Sequence, residues 1–147
     1  MAEKMQEKYT YPAYTADLIV PYEEGIVLVQ RENEPFKGFW ALPGGFQEGL
    51  ERITTTGVRE LFEETNLIAN EENLKPLGVY SELGRDPRGE VIANVFEVLK
   101  YEGTLMAGDD ASRVRIFQKI PENLAFDHNK ILEDYFRMKT GNQENGN

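Results

Sequence analysis

Three glutamates near the end of one predicted helix constrain this chain more than any other feature. When residues 59–64 (RELFEE) are placed on an α-helix, Glu60 and Glu64 project from nearly the same face, with Glu63 beside them. Like charges four residues apart destabilise a helix slightly, so a positive partner is expected to offset them. A divalent metal ion is the natural candidate.

The helix that carries these glutamates is predicted for residues 52–65 and has weak intrinsic propensity. Three consecutive threonines (54–56) are β-branched, and Gly57 costs about 1 kcal/mol relative to Ala in a helix interior. Packing of an inward stripe must therefore hold the helix, and we expect Gly57 to admit a strand backbone at close range. Asn66 is predicted to end the helix in the left-handed conformation. The stripe comprises Ile53, Gly57, Val58 and Leu61.

Composition excludes several kinds of metal site and argues against several kinds of partner. The chain has no cysteine and one histidine, which excludes disulfides, thiolate metal sites and His-rich metal sites. Acidic residues outnumber basic ones 26 to 16, and the net charge of −10 argues against a nucleic-acid partner. No apolar run approaches the roughly 20 residues of a membrane helix. The polar start MAEKMQEK lacks the apolar core of a secretory signal, so we expect a cytoplasmic protein.

Apolar β-type segments on both sides of this helix predict an α/β protein. Residues 16–20 and 26–29 form an expected hairpin around the turn at Gly25. Asp127 is the predicted N-cap of a final amphipathic helix. Further strands are predicted at residues 77–82, 91–99 and 114–117.

We expect one domain over residues 1–147, without internal repeats or linkers. Residues 1–11 form a possible arm that packs on a partner chain, and residues 141–147 form a polar tail that we expect to be disordered.

The spacing around the glutamates resembles the signature of the Nudix hydrolases. Gly45 is followed by Glu51 after five residues, and by the run 59–64 after seven more, with an aliphatic residue at Leu67. Every charged position of the signature is matched. The departures concern its loop and caps: Asn66 replaces its last glycine, Leu50 stands where a glycine is usual, and Arg52 replaces a Ser or Thr.

The resemblance implies the Nudix αβα sandwich, with a mixed sheet between helices, and Mg²⁺ as cofactor, with Mn²⁺ as a possible substitute. It implies Glu60 and Glu64 as the main metal ligands, with Glu63 and the Gly44 carbonyl completing the set. Arg59 would pair with Glu51, and Gly45 would shape the loop. Oxygen ligands of this kind suit Mg²⁺. For Glu63 a solvated helix carboxylate is the alternative.

Four other stretches resemble one branch of the family, the ADP-ribose pyrophosphatases. This implies hydrolysis of ADP-ribose to AMP and ribose 5-phosphate, and a homodimer. The alternatives are hydrolysis of another nucleoside diphosphate sugar, of a dinucleoside polyphosphate or of a damaged nucleoside triphosphate, or a non-catalytic module that senses ADP-ribose. The stretches are residues 42–46, 84–89, 108–111 and 124–128.

Residues outside the signature are candidates for the base and for substrate contacts. Asp109 or Asp110 is a candidate general base, against the alternative of an acidic loop without a catalytic role. Arg85 and Arg88 can clamp phosphate or ribose oxygens, or can instead pin their turn through Asp86. Aromatic residues are candidates for stacking on adenine, although such residues are more often part of a core. The main aromatic candidates are Phe36, Trp40 and Phe46.

Overall fold

The computed structural model describes residues 9–106 and 113–145, with side chains described up to residue 141. Two α-helices are present in this part of the chain, α1 (Ile53–Thr65) and α2 (His128–Asn145), together with a short 3₁₀ turn at Glu71–Asn73. The strands are β1 (Ala13–Ile19), β2 (Pro21–Tyr22), β3 (Gly25–Gln30), β4 (Trp40–Ala41), β5 (Gly44–Phe46), β6 (Leu74–Tyr80), β7 (Val91–Val98) and β8 (Val114–Phe117).

The strands form two sheets. The first is mixed and has the order β5-β1-β7-β6. Its centre is a parallel pair in which Asp17 of β1 lies opposite Val95 of β7, while β5 and β6 run antiparallel to their neighbours. The second sheet is antiparallel and is built on β3, which pairs with β2, β4 and β8.

The predicted hairpin around Gly25 is smaller than expected. Only Pro21–Tyr22 pairs with the start of β3, and Val27 N–H donates to the Val20 carbonyl at 3.0 Å. The preceding strand β1 belongs to the other sheet, because it is buried along nearly its whole length. A buried strand needs hydrogen-bond partners along both edges, and here β5 and β7 provide them.

The two helices lie on opposite faces of the sheets, as alternation along β1 shows. Leu18 belongs to the apolar cluster that contains Leu61 of α1, and its neighbour Ile19 belongs to the cluster that contains Ile131 of α2. Successive side chains of a strand point to opposite faces, so the sheets are enclosed by α1 on one side and by α2 on the other. The predicted αβα sandwich is confirmed.

Helix α1 takes its N-terminal polar contacts from outside the helix. Arg52 occupies the N-cap position without a side-chain cap. Glu71, from the 3₁₀ turn, instead accepts hydrogen bonds from Thr54 Oγ1 (2.5 Å), Thr55 Oγ1 (3.0 Å) and Arg52 Nη2 (3.0 Å). A carboxylate here also interacts favourably with the positive end of the helix dipole.

Asn66 ends α1 as predicted, whereas the surroundings of Gly57 differ from the prediction. Asn66 has φ +72° and donates its N–H to the Phe62 carbonyl at 2.9 Å, which confirms the left-handed end. A Cβ on Gly57 would lie 2.9 Å from Leu74 Cδ1 and 3.4 Å from Leu18 Cδ2. The glycine therefore admits two leucine side chains, and the predicted close approach of a strand backbone is wrong.

Helix α2 departs from its prediction at both ends. It continues to Asn145, so residues 141–145 are helical in the structure, where a disordered tail was expected. Asp127 does precede the helix, but its carboxylate pairs with Arg85 in the bonds that the structure shows. Within the described residues, neither helix is both long enough and apolar enough to cross a membrane.

Candidate active site

The Gly44-Gly45 strand and the last two turns of α1 meet through their backbone and carboxylates. Gly44 N–H donates to Glu64 Oε1 at 2.7 Å. A Cβ on Gly45 would lie 2.5 Å from Glu60 Cδ and 2.6 Å from its Oε1. A side chain at position 45 would therefore occupy the space of the Glu60 carboxylate.

Arg59 joins the loop before α1 to the helix, as the resemblance implies. Its Nε donates to Glu51 Oε2 at 2.7 Å and its Nη2 donates to Glu51 Oε1 at 3.1 Å, a two-point pair. Nη2 also donates to the Phe46 carbonyl at 3.0 Å. The hydrogen bonds from Arg59 lower the pKa of Glu51 to about 2, so this carboxylate is charged at neutral pH.

The Glu51–Arg59 pair predicts a particular loss of stability in acid. Because the pKa of Glu51 is about 2 in the folded chain and near the ordinary value of 4.5 in the unfolded chain, its stabilisation is complete above pH 4.5 and is lost as the pH falls toward 2. Glu51→Gln should therefore flatten the decline of the unfolding free energy between pH 4.5 and 2. Urea titrations at several pH values measure this, and an unchanged pH slope in the variant would contradict it.

The three glutamates of the cluster have different surroundings. Glu60 accepts a hydrogen bond from Arg59 Nη1 at 2.8 Å, whereas the Glu63 side chain is 54% exposed and lies 3.4 Å from the same nitrogen. Burial raises the pKa of Glu60 to about 7 and that of Glu64 to about 8, and in both cases a neighbouring glutamate adds to the rise. Two partly buried carboxylates thus favour a cation beside them.

These donors fit a hard divalent cation in kind, since they are carboxylate oxygens and a backbone carbonyl. Throughout residues 9–106 and 113–141, however, no three His, Asp or Glu side chains are grouped closely enough to hold a metal ion. Glu60 is turned toward Arg59 and Glu64 toward the Gly44 amide. The structure thus brings Glu60 and Glu64 to one loop without assembling a closed ligand set.

A cleft of about 380 Å³ opens beside this loop. The residues that line it include the Gly44-Gly45 strand, Glu63 and Glu64, together with several arginines. A cleft of this size with acidic and basic walls suits a small ligand that carries both phosphate and a polar sugar.

The two arginines that sequence suggested for substrate binding are both engaged by carboxylates. Arg85 donates to Asp127 Oδ1 at 2.6 Å and Oδ2 at 3.0 Å, and its side chain is only 5% exposed. Arg88 donates to both oxygens of Asp86 at 3.0 and 2.8 Å. Both border the cleft. The alternative of a turn pinned through Asp86 describes Arg88, while Arg85 instead connects its loop to the start of α2.

The three aromatic candidates occupy different places. Phe46 borders the cleft, with the Tyr9 ring stacked on it at 4.1 Å and the Arg88 guanidinium 4.8 Å from its centroid. Trp40 is buried in the core and packs edge-on against Phe117. Phe36 packs against other phenylalanines and does not border the cleft. The core alternative therefore describes Trp40, and of the three only Phe46 borders the cleft.

Two polar residues of the cleft were missed as site residues, and one pair of candidates lies outside the described residues. Asp17 is buried, accepts a hydrogen bond from Thr15 at 2.8 Å, and has its pKa raised by burial to about 6. Its signal was a carboxylate within an otherwise apolar strand.

Buried His128 accepts the Leu42 N–H on Nδ1 at 3.1 Å, and burial lowers its pKa to about 3, so the ring is neutral. The candidate bases Asp109 and Asp110 fall in residues 107–112, which the structure does not describe.

Comparison with known proteins agrees with this arrangement. The family model for the NUDIX domain matches residues 12–135. An ADP-ribose pyrophosphatase from Methanocaldococcus jannaschii is 47% identical over 140 residues, which cover 94% of this chain and 81% of that protein. An ADPR-responsive transcriptional repressor from Acinetobacter baylyi is 30% identical over 92% of this chain and 58% of its own length.

A solved structure shows the same fold with ligands. It is a bifunctional NMN adenylyltransferase/ADP-ribose pyrophosphatase from Francisella tularensis complexed with AMP and a manganese ion, with a TM-score of 0.74 and 28% identity over 93% of this chain and 44% of that one. The family match spans most of the chain and includes the Gly44-Gly45 strand, Glu51 and all three glutamates of α1. The chain belongs to the Nudix hydrolase family.

Proposed function

We propose that this protein hydrolyses the pyrophosphate bond of ADP-ribose, adding one water molecule to yield AMP and ribose 5-phosphate. The observation that carries the proposal is the contact of the partly buried Glu60 and Glu64 with the Gly44-Gly45 strand, beside a cleft that guanidinium groups also line. Identity of 47% to a protein named an ADP-ribose pyrophosphatase supports the choice of substrate.

The cofactor in this proposal is Mg²⁺, with Mn²⁺ able to replace it. Glu60 and Glu64 would be the main ligands, with Glu63 and the Gly44 carbonyl as further donors. A bound divalent ion offsets the negative charge of the diphosphate and activates water for attack. The raised pKa values of Glu60 and Glu64 support this, because partial burial and neighbouring carboxylates both disfavour the charged forms when no cation is bound.

The chain supplies the remaining roles in the proposal. Arg59 holds the loop to the helix through Glu51 and thereby orients Glu60. Asp109 or Asp110 would accept the proton of the attacking water, with Glu63 as the other candidate base. Phe46 would contact the adenine, with Arg88 stacked on its ring. We further propose that the protein acts as a homodimer in the cytoplasm, and size-exclusion chromatography with light scattering tests the assembly.

The test is a substrate panel. Purified protein should release AMP and ribose 5-phosphate from ADP-ribose with Mg²⁺ or Mn²⁺ and not with EDTA. We expect kcat/KM for ADP-ribose to exceed that for GDP-mannose or a diadenosine polyphosphate by about tenfold or more, the order that pocket contacts can supply. Liquid chromatography of the products identifies the bond that is cut.

Two results would overturn the proposal in different ways. Faster turnover of GDP-mannose or a dinucleoside polyphosphate would keep the hydrolase and change its substrate. Calorimetric binding of ADP-ribose without any product would favour a sensing module, the role that the name of the Acinetobacter relative describes for that protein.

A further inference from the structure

Four arginine side chains border the cleft. Three of them are each paired with a different carboxylate of the chain. These pairs are Arg85–Asp127, Arg88–Asp86 and Arg113–Glu32. The fourth is Arg31, just beyond the end of β3. Within residues 9–106 and 113–141, no carboxylate lies within ion-pair distance of its guanidinium.

The Arg31 side chain is held at one nitrogen and open at the other two. Its Nε donates to the Pro35 carbonyl at 2.7 Å. Neither terminal nitrogen donates to an acceptor in the described part of the chain. Every fully buried side-chain nitrogen in that part has a hydrogen-bond partner, so these two nitrogens are not fully buried. The terminal nitrogens are therefore accessible to solvent, and Arg31 is one of the residues that line the cleft.

An aromatic ring lies beside this guanidinium. The Arg31 carbon Cζ lies 5.0 Å from the centroid of Phe126, and Arg88 lies over the same ring at 5.4 Å. Guanidinium groups stack favourably on such rings. Phe126 adopts φ +53°, a conformation that residues with side chains rarely adopt and that often marks functional sites.

The charge on Arg31 is poorly compensated by the protein. Burial, followed by the charge of Arg88, lowers the pKa of Arg31, whereas Asp86, Glu64 and Asp17 act in the opposite direction without offsetting it. A half-buried cation of this kind, with two free N–H edges, is complementary to a multivalent oxyanion. A phosphate group presents such oxygens in the matching two-point geometry.

We propose that Arg31 binds a phosphate group of the nucleoside diphosphate substrate, and that Phe126 is the positioning residue that orients its guanidinium. This inference rests on the proposed function. It differs from the expectation for Arg85 and Arg88, whose guanidinium groups are occupied by Asp127 and Asp86.

Arg31→Gln tests the phosphate contact. We expect KM for ADP-ribose to rise by about 10- to 100-fold, the range for the loss of a hydrogen bond to a charged group. Arg31→Lys keeps the charge but loses the planar fork, so it should lie between wild type and Arg31→Gln. Arg137→Gln removes a guanidinium from the exposed face of α2 and is the matched control, with an expected change below about twofold.

Binding measurements separate this proposal from the proposed function. Calorimetry with ADP and with adenosine, in the presence of Mg²⁺, compares a ligand that has phosphates with one that has none. Arg31→Gln should weaken ADP by at least tenfold and leave adenosine unchanged, whether or not wild type turns over ADP-ribose. Equal loss for both ligands, or unchanged ADP affinity with wild-type thermal melting, would overturn the assignment.

A double-mutant cycle tests the positioning role of Phe126. Phe126→Leu should raise KM for ADP-ribose and should weaken ADP more than adenosine. In the Arg31→Gln background, the same substitution should have a much smaller effect on KM, because the group that it orients is absent. Full additivity of the two effects would show that Phe126 does not act through Arg31. Thermal melts of all four proteins verify that each is folded.

Discussion

Glu64→Gln is expected to reduce metal-dependent turnover of ADP-ribose by at least about 100-fold, because a metal ligand contributes several kcal/mol to transition-state stabilisation. The fold should survive, since the side-chain oxygen of glutamine can still accept the Gly44 N–H that Glu64 accepts at 2.7 Å. The substitution therefore removes charge from the cleft while it keeps the contact between α1 and β5. Steady-state kinetics with Mg²⁺ and thermal melting measure the two effects.

Matched variants show whether the effect belongs to Glu64. Glu133→Gln makes the same chemical change on the exposed side of α2, and its rates should equal those of wild type. Glu63→Gln should lose less activity than Glu64→Gln, since the Glu63 side chain is half exposed. In addition, Mg²⁺ should raise the melting temperature of wild type more than that of Glu64→Gln. Near-normal Mg²⁺-dependent rates in Glu64→Gln would refute its role as a principal ligand.

Gly45→Ala is expected to lower kcat by at least about tenfold while changing stability little. The new Cβ would lie 2.5 Å from Glu60 Cδ, so the Glu60 carboxylate must move. Its position at the end of a flexible side chain makes that movement easy for the fold, but misplacement of a catalytic group by about 1 Å can cost 100-fold in rate. Kinetics and urea titration, measured on the same preparation, separate the two effects.

Gly44→Ala is the matched comparison, because it should lower the stability of the fold, whereas Gly45→Ala should lower kcat. A Cβ there would overlap the Ala16 carbonyl oxygen and approach Asp17 Oδ1 to 2.6 Å. The obstacle is backbone of the neighbouring strand, which cannot rotate away, so we expect a loss of about 1–3 kcal/mol in unfolding free energy. If Gly45→Ala were the less stable of the two proteins, the argument about the Glu60 carboxylate would be wrong.

Periodicity predicted the parts of the fold that depend on local pattern. Helix α1 and strand β8 begin and end within one residue of their predicted bounds, and Asn66 ends α1 as predicted. The pairing of β1 with β7 was not predicted, because it joins segments more than seventy residues apart and nothing in either segment specifies its partner. The helical residues 141–145 were missed because their polar sequence carries no inward stripe.

Within the site, the resemblance to the Nudix signature predicted the parts that lie close together in the chain. The pairing of Arg59 with Glu51 and the approach of α1 to the glycine pair follow from one continuous segment. The partners of Arg85 and Arg88 depend on where separate loops meet, and two arginines in one loop look equivalent in sequence although they bind different carboxylates. Arg31 was overlooked for the same reason: its isolation is a property of the assembled cleft.

Because α1 depends on contacts with Glu71, the site should form only late in folding. The helix has three threonines, a glycine and no side-chain cap at its N-terminus, and its first turn is held by a carboxylate that follows it in the chain. A peptide of residues 44–67 should therefore be largely unstructured in water, because a short helix with such residues does not nucleate by itself. The glutamates would acquire their common orientation only after the 3₁₀ turn and β6 have docked. During synthesis, metal affinity should accordingly arise late, as a property of the completed chain.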